Sequence, residues 1–522
     1  MIRYLLLLLL ACSIVKSADW YVSPTGTGSG TLGSPGSLMV AVRHTNWAAS
    51  ITSNDTVWLR NGTYTNANES EFTTNVWYTG FATNVTITSA AYWSLQFRGE
   101  SNAPVTWRSY PNEWAKIDGL WRFDAWLAGS GVLPDWHFFR DLEFYWTRKG
   151  INGDYAGGFA DGGNVTNNNN QWVNCAIHDT STTFLGYSAG HARGCIMWYM
   201  GQDPAFSHLF YGYSQKASGN ICFGTSGYWT QGGPASMTSN IFVGAGSALV
   251  TPFVSGWKSS GSGNKIFNDN AIYNIDRGAG GLECTDIGCT NNYFVAEFNA
   301  TFTGSSTGIV SIVSNKFLMH RSTETADIWG NYNTNGTWTV DYNNYFTKTG
   351  TVHIGRGPGQ NSLFSSWTNT YYPFDINSSS SSNSLPTNEV RIFANQDEAK
   401  RANIAVYNWA RSNTVAVPLT GVLTKGDNYQ LYNGLDYLSG PIQTGTYNGT
   451  NISVPMTNLA TASVLYALTE AQQLMVLSHP RSNWMAQPAS FSPEFGAFVV
   501  RSVVPAYPVE VTSGRTAKRI AR

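Results

Sequence analysis

Between about residue 170 and 346 an asparagine followed by two or three apolar residues keeps returning, and this repeat limits the fold more than any other feature of the chain. The instances are Asn174-Cys175-Ala176-Ile177, Asn220-Ile221-Cys222-Phe223, Asn240-Ile241-Phe242-Val243, Asn270-Ala271-Ile272-Tyr273, Asn292-Tyr293-Phe294, Asn315-Lys316-Phe317 and Asn344-Tyr345-Phe346. Most steps are about 20 to 30 residues, the period of a solenoid. The blocks are brief, β-branched or aromatic, and separated by Gly, Asn and Ser, so each reads as a short strand between turns. Parallel coils stacked about 4.8 Å apart would bring like side chains into register. Asparagine suits such a corner, because its amide both donates and accepts and its backbone tolerates left-handed angles. These asparagines are therefore read as structural.

An open solenoid end exposes strand edges and core, so it needs a cap. Ser37 to Ile51 supplies one, with Ser37 as a helix N-cap and Leu38, Ala41, Val42 and Trp47 as its apolar side. Three stretches then carry a resemblance: Asp19-Trp20-Tyr21-Val22-Ser23-Pro24-Thr25-Gly26; Asp55-Thr56-Val57-Trp58-Leu59-Arg60-Asn61-Gly62-Thr63-Tyr64; and Pro104 to Pro111 followed by Ile117-Asp118-Gly119. With Phe138-Phe139-Arg140-Asp141-Leu142-Glu143-Phe144, they resemble the opening coils of secreted pectate-lyase-like proteins. The resemblance implies a right-handed parallel β-helix that holds a long polysaccharide along one sheet face. It reaches most of residues 19 to 346 and is specific for fold rather than for reaction.

The chain starts with Met1-Ile2-Arg3-Tyr4 and an apolar run from Leu5 to Leu10, the pattern of an export signal over residues 1–17. Cleavage after Val15-Lys16-Ser17 and lipidation at Cys12, within Leu9-Leu10-Ala11-Cys12, are both open, so a lipid anchor stands beside simple secretion. The apolar run is about half of the roughly 20 residues that cross a bilayer. A net charge of -1 excludes an electrostatic nucleic-acid binder. Charged residues are only 12% and aromatics 14%, which sets the chain apart from disordered sequences and makes each cluster of ionisable groups conspicuous. Cys175, Cys195, Cys222, Cys284 and Cys289 remain beyond the signal, an odd number that forbids complete pairing. Cys175 and Cys222 read as small buried hydrophobes, and Cys284 and Cys289 are close enough in sequence for a local disulfide.

The β-helix is expected over 18–376, a Ser/Asn linker over 377–388, a small β-sandwich over 389–512 and a loose basic tail over 513–522. The terminal part, from Arg401 through Met456, is similar to β-domains attached to carbohydrate-active enzymes. A monomer is expected.

Two chemistries recur in enzymes of the resembled class. Lyases take a proton beside a uronate carboxylate with Lys, Arg or His, often with calcium, while hydrolases use paired carboxylates. His178 and Asp179, at the end of a strand, are candidate catalytic groups, joined by His208 and Tyr211 on a later coil and by Arg193. His191, Trp198, Tyr199, Tyr213, Trp229 and Arg277 are candidate substrate contacts, with core filling as the competing role for the aromatics. Glu283 and Asp286, in a Gly-rich loop, are candidate calcium ligands, against a solvated, salt-bridged loop. Neither the calcium-binding Asp run of the lyases nor the paired Asp of polygalacturonases is matched. The expected function is a polysaccharide lyase ahead of a glycoside hydrolase, and the alternative is a noncatalytic glycan-binding or adhesive surface protein.

Overall fold

The computed structural model describes residues 17–65, 70–78, 81–89, 92–122, 134–145, 169–180, 185–186, 190–200, 209–212, 216–225, 229–232, 235–245, 257–259, 264–284, 286–304, 309–320, 324–330, 337–355, 361–370, 374–463 and 492–503. They form a right-handed parallel β-helix followed by a smaller antiparallel module. The first sheet has 12 strands, from Asp19–Val22 to Thr337–Asp341, and its neighbours are consecutive coils paired in parallel. A second face runs from Gly62–Thr65 through Ala176–Thr180 and Ile221–Thr225 to Asn344–Thr347. A third is built from short strands such as Phe210–Gly212 and Thr230–Gly232, and Ala271–Cys284 and Tyr293–Gly304 run on from the second face into it.

Alternation along each strand decides what lies inside. On the first sheet Val57, Trp107, Phe139, Trp172, Ala192, Ala217, Met237 and Phe267 occupy one register column, all buried. On the second, Ile117, Phe144, Ile177, Met197, Cys222, Phe242, Ile272 and Phe294 face them from the other side of the same core. Their partners one residue away point outward, which is how a period of two divides core from surface.

The corner between these sheets explains the asparagine repeat. At each coil one residue takes a left-handed backbone (Gly219, Ser239, Asp269, Asn291, Ser314, Tyr342), and the buried residue after it is Asn220, Asn240, Asn270, Asn292, Asn315 or Asn343. Asn240 Nδ2 donates to Asn270 Oδ1 at 3.0 Å and to Ala217 O at 3.0 Å, and Asn270 repeats the pattern toward Asn292. The ladder corrects the expected alignment at two places. Asn174 is itself the left-handed residue, so Cys175 and then Cys195 fill the first ladder positions, and in the last coil the ladder residue is Asn343 rather than Asn344. Cys195 Sγ donates to Trp172 O as the asparagine amides do to their own preceding coil. Cys175, Cys195, Cys222 and Cys289 are all buried free thiols, so the Cys284–Cys289 disulfide is not formed.

The cap fills the window expected for it as two short helical pieces rather than one helix. Ser37 Oγ accepts from Met39 N at 3.2 Å and starts a helix at Leu38–Val42, whose Leu38, Ala41 and Val42 close the core. Left-handed His44 and Asn46 end it, and a 3-10 turn at Asn46–Ser50 follows. In the expected linker, Ser379–Ser381 adds one more parallel rung to Asn344–Phe346.

Beyond it, Glu389–Ala394, Arg401–Tyr407, Phe495–Ser502, Asn428–Asn433 and Pro441–Thr446 form a five-stranded antiparallel sheet. Its Ile404, Val406, Leu431, Phe498 and Val500 share a core with the two-stranded pair Thr414–Val417 and Ile452–Pro455. Its other side, through Ala405, Tyr407, Phe495 and Ala497, packs on Ile196, Trp198, Ile221, Phe223 and Tyr273 of the second face of the β-helix. The module therefore covers that face and also reaches the outer side of the first sheet at Arg140 and Arg193, where Val173 between them is buried.

Candidate functional site

The outward positions of the first sheet form two columns along the helix axis. One runs Tyr21, Trp58, Arg108, Arg140, Val173, Arg193 and Ser218; the other includes Thr106, Phe138, Gln171, His191 and Lys216. Trp58 stands edge-on to Tyr110 at 6.0 Å, Arg60 lies over Tyr110 at 4.8 Å and Arg108 over Trp58 at 5.2 Å, so the start of the face is an aromatic patch roofed by cations. Arg60 pairs with Glu113 at 2.7 Å and Arg108 with Asp141 at 2.9 Å. The Arg108 side chain remains 36% exposed, which leaves it within reach of a ligand.

Further along the face, the C-terminal module leans over the sheet edge. Arg193 donates to Asp397 Oδ1 at 2.8 Å, Arg140 to Asp397 O at 3.3 Å, and Asn395 Nδ2 to Asn174 Oδ1 at 2.7 Å. Where the module meets the left-handed corners, a cleft of about 440 Å³ opens, with Arg193 at one end and the strand Glu389–Ala394 as one wall. Beside Arg193, His191 Nε2 lies 3.1 Å from Ser218 Oγ. Burial, and then the charges of Arg193 and Lys216, push the His191 pKa down to about 3, so this imidazole is neutral across the working pH range.

His178 and Asp179 are arranged differently. His178 Nδ1–H donates to Asp179 Oδ2 at 2.7 Å, its Nε2 is 3.5 Å from Glu143 Oε1, and its ring is stacked on Trp198 at 4.2 Å and on Tyr145 at 5.4 Å. Burial acts to lower the His178 pKa, but the bonds to Asp179 and Glu143 outweigh it and the net shift is upward. Both residues are fully buried on the second face, where the expected acid–base pair cannot meet a polymer. The pair is a closed charge network, and Glu143, which also accepts from Trp114 at 2.6 Å, is the member the sequence reading missed.

The other candidates divide. Arg193 and His191 share the open face. Trp198 is buried under the module, Tyr199 is buried and donates to Ala462 O at 2.6 Å, and Trp229 fills the interior core against Phe242; none of the three is a substrate contact. His208 and Tyr213 lie outside the described residues, as do the side chains of Tyr211, Arg277, Glu283 and Asp286, so the calcium-ligand pair falls there too. Among the described residues no three acidic, His or Cys side chains gather as metal ligands, and no helix is long and apolar enough to cross a membrane. Arg60, Trp58, Arg108 and Arg140, which the sequence reading did not single out, sit at alternating positions of strands whose intervening residues are apolar; that period was the available signal.

No protein-family model and no curated protein matches the chain. Among solved structures it is similar to pectate lyase Pel9A, at 14% identity over 71% of this chain and 77% of that one, with a TM-score of 0.26. A mannuronic acid specific polysaccharide family 6 lyase from human gut microbiota is 12% identical over 65% and 83%, with a TM-score of 0.34. A GH136 lacto-N-biosidase from Eubacterium ramulus is 9% identical over 73% and 69%, with a TM-score of 0.34.

Proposed function

We propose that this chain is an exported carbohydrate-active protein that binds an acidic polysaccharide along the outer face of the first sheet and cleaves it by β-elimination. The observation that carries the reading is the outward column Trp58, Arg108, Arg140 and Arg193, with Lys216 beside it, which sets an aromatic platform and a run of cations along the direction of coil stacking. Sugar rings pack their C–H faces on aromatic surfaces, and guanidinium groups bind carboxylates in a planar, two-pronged way. The column therefore fits a chain of uronate units lying along the axis.

His191 is the base in this scheme. Its nitrogen takes the proton on the carbon beside the uronate carboxylate, that electron pair forms the ring double bond, and the glycosidic C–O bond breaks with water protonating the departing oxygen. Lys216, exposed beside His191, holds the carboxylate and stabilises the charge that builds on it, while Arg193, shared with Asp397, adds to the positive field around it. In the free protein burial, and then the same two cations, depress the basicity of His191. A bound carboxylate offsets the part of that shift that the two cations cause.

Incubation with polygalacturonate and alginate, followed by ultraviolet absorbance of unsaturated products and by reducing ends, tests the reading. The absorbance rises with the wild type, and His191→Gln slows it by about 100-fold or more. No rise and no new reducing ends on either polymer would remove the cleavage claim. A second reading, glycan binding without cleavage, is favoured by the sealing of His178 and Asp179. Retention of polymer without any product is its signature.

A further inference from the structure

We infer that the cleft between the β-helix corner and the C-terminal module is a second sugar site, one that takes uncharged, hydroxyl-rich sugar units rather than uronates. The inference rests on the proposed polysaccharide function and adds to it the class of sugar held at this place. Its floor is the row of left-handed corner residues, one per coil from Gly194 to Asn291, and its other wall is the edge strand Glu389–Ala394 with the turn after it. Coils repeat about every 4.8 Å, so the trough runs along the axis and presents a polar corner at each step. A volume of about 440 Å³ is within the range of small-ligand pockets.

Charge separates this site from the open face. The lining holds two cations, Arg193 and Arg391, against three carboxylates, Glu389, Asp397 and Asp269. Arg193 is bonded to Asp397 and Arg391 to Glu389, both at 2.8 Å, so the guanidinium groups are already neutralised. Asp269 Oδ1 accepts from Asn291 Nδ2 at 2.7 Å, and its carboxylate is partly exposed in the cleft. With Lys316 also paired to Glu389, a uronate entering would find the lining cations already matched by carboxylates and would meet the Asp269 carboxylate, which is bonded to the neutral Asn291 amide. Neutral hydroxyls instead find carboxylate acceptors and guanidinium donors side by side, and Phe393 supplies an apolar surface for a ring face. A polymer or branch that carries both acidic and neutral sugars would engage the face and the cleft together.

The test is calorimetric titration of the full-length protein with manno-, xylo-, gluco- (β-1,4) and galacto-hexaose, and separately with hexagalacturonate. At least one neutral hexaose binds the wild type. Asp269→Asn, which keeps a side chain that tolerates the left-handed backbone, weakens that binding at least five-fold, and Gln396→Trp, at an exposed lining position in the turn after the edge strand, abolishes it by filling the cleft. Hexagalacturonate affinity stays within two-fold in both variants, and thermal melts confirm folding. No binding of any neutral hexaose, or binding untouched by Gln396→Trp, would overturn the second site. Joint loss of neutral and acidic binding in Gln396→Trp would also overturn it, by showing one continuous site. Failure of hexagalacturonate to bind the wild type would count against the proposed function and leave the cleft to be judged on the neutral sugars.

Discussion

Arg193, at the sixth outward position of its column, donates to Asp397 Oδ1 at 2.8 Å across 204 residues of sequence. The pair joins the open sheet face to the C-terminal module at the point where the chemistry is placed. Breaking it from one side is informative. Asp397→Asn frees the Arg193 guanidinium for a substrate carboxylate, and hexagalacturonate affinity is expected to rise about two- to five-fold, read by titration, with the gain fading at high salt as a partly exposed ion interaction should.

The ladder supports the coils. Asn270 accepts from Asn240 N and Nδ2 and donates to Met237 O and Asn292 Oδ1, all within 3.0 Å. Asn270→Ala leaves several buried groups unpaired, each costing about 1–3 kcal/mol. Urea unfolding is expected to show a loss of at least about 3 kcal/mol.

Cys195 holds a ladder position without an amide. Cys195→Asn supplies a donor toward Asn220 Oδ1, the bond that Asn220 already makes to Asn240 at 2.8 Å. A gain of about 1 kcal/mol is expected for the added hydrogen bond, measured by the same unfolding assay.

The His178 network sets an alkaline limit. The His178 pKa is raised in the folded chain above its unfolded value of about 6.5, so its contribution is fully present below that pH and lost as pH rises through the folded pKa. Glu143, against the burial that raises its pKa, is held down by His178, and its contribution fades only in acid. His178→Gln leaves two buried carboxylates without their cation and is expected to cost about 3 kcal/mol near pH 6. The difference from wild type should shrink as pH is raised.

His137 works in the opposite direction. Trp107 Nε1 donates to its Nδ1 at 3.0 Å and its Nε2–H donates to Phe97 O at 2.9 Å, which fixes a neutral ring in the core. Burial lowers its pKa to about 4, so the stability of the neutral form is complete above pH of about 6.5 and is lost as pH falls through 4. His137→Phe should flatten the acid side of the stability profile by up to about 3 kcal/mol, seen as a smaller change in melting temperature between pH 7 and pH 4.

What could be read from the sequence follows from which interactions are local. The repeat, the Ser37 cap and the inward residues of the strands depend on spacing within one coil, and they lie where that spacing puts them. The ladder slipped by one at Asn174 because asparagine also suits the left-handed corner next to it, and in the last coil because two asparagines, Asn343 and Asn344, stand side by side. The His178–Asp179 bond joins neighbours in the chain and was visible as a pair. Its burial is not local: the module that covers the second face comes from residues beyond 388, and nothing near His178 reports that docking. The cation column was legible in principle, since Trp58, Arg108 and Arg140 alternate with core residues, but its members belong to different coils and only register brings them into line.

The most direct test of the account is hexagalacturonate titration of the wild type beside the double variant Arg140→Gln/Arg193→Gln, both verified as folded. Binding along the outer face of the first sheet predicts measurable wild-type affinity that weakens with salt and falls at least ten-fold in the variant. Equal affinity in the two proteins, or none in the wild type, would contradict it.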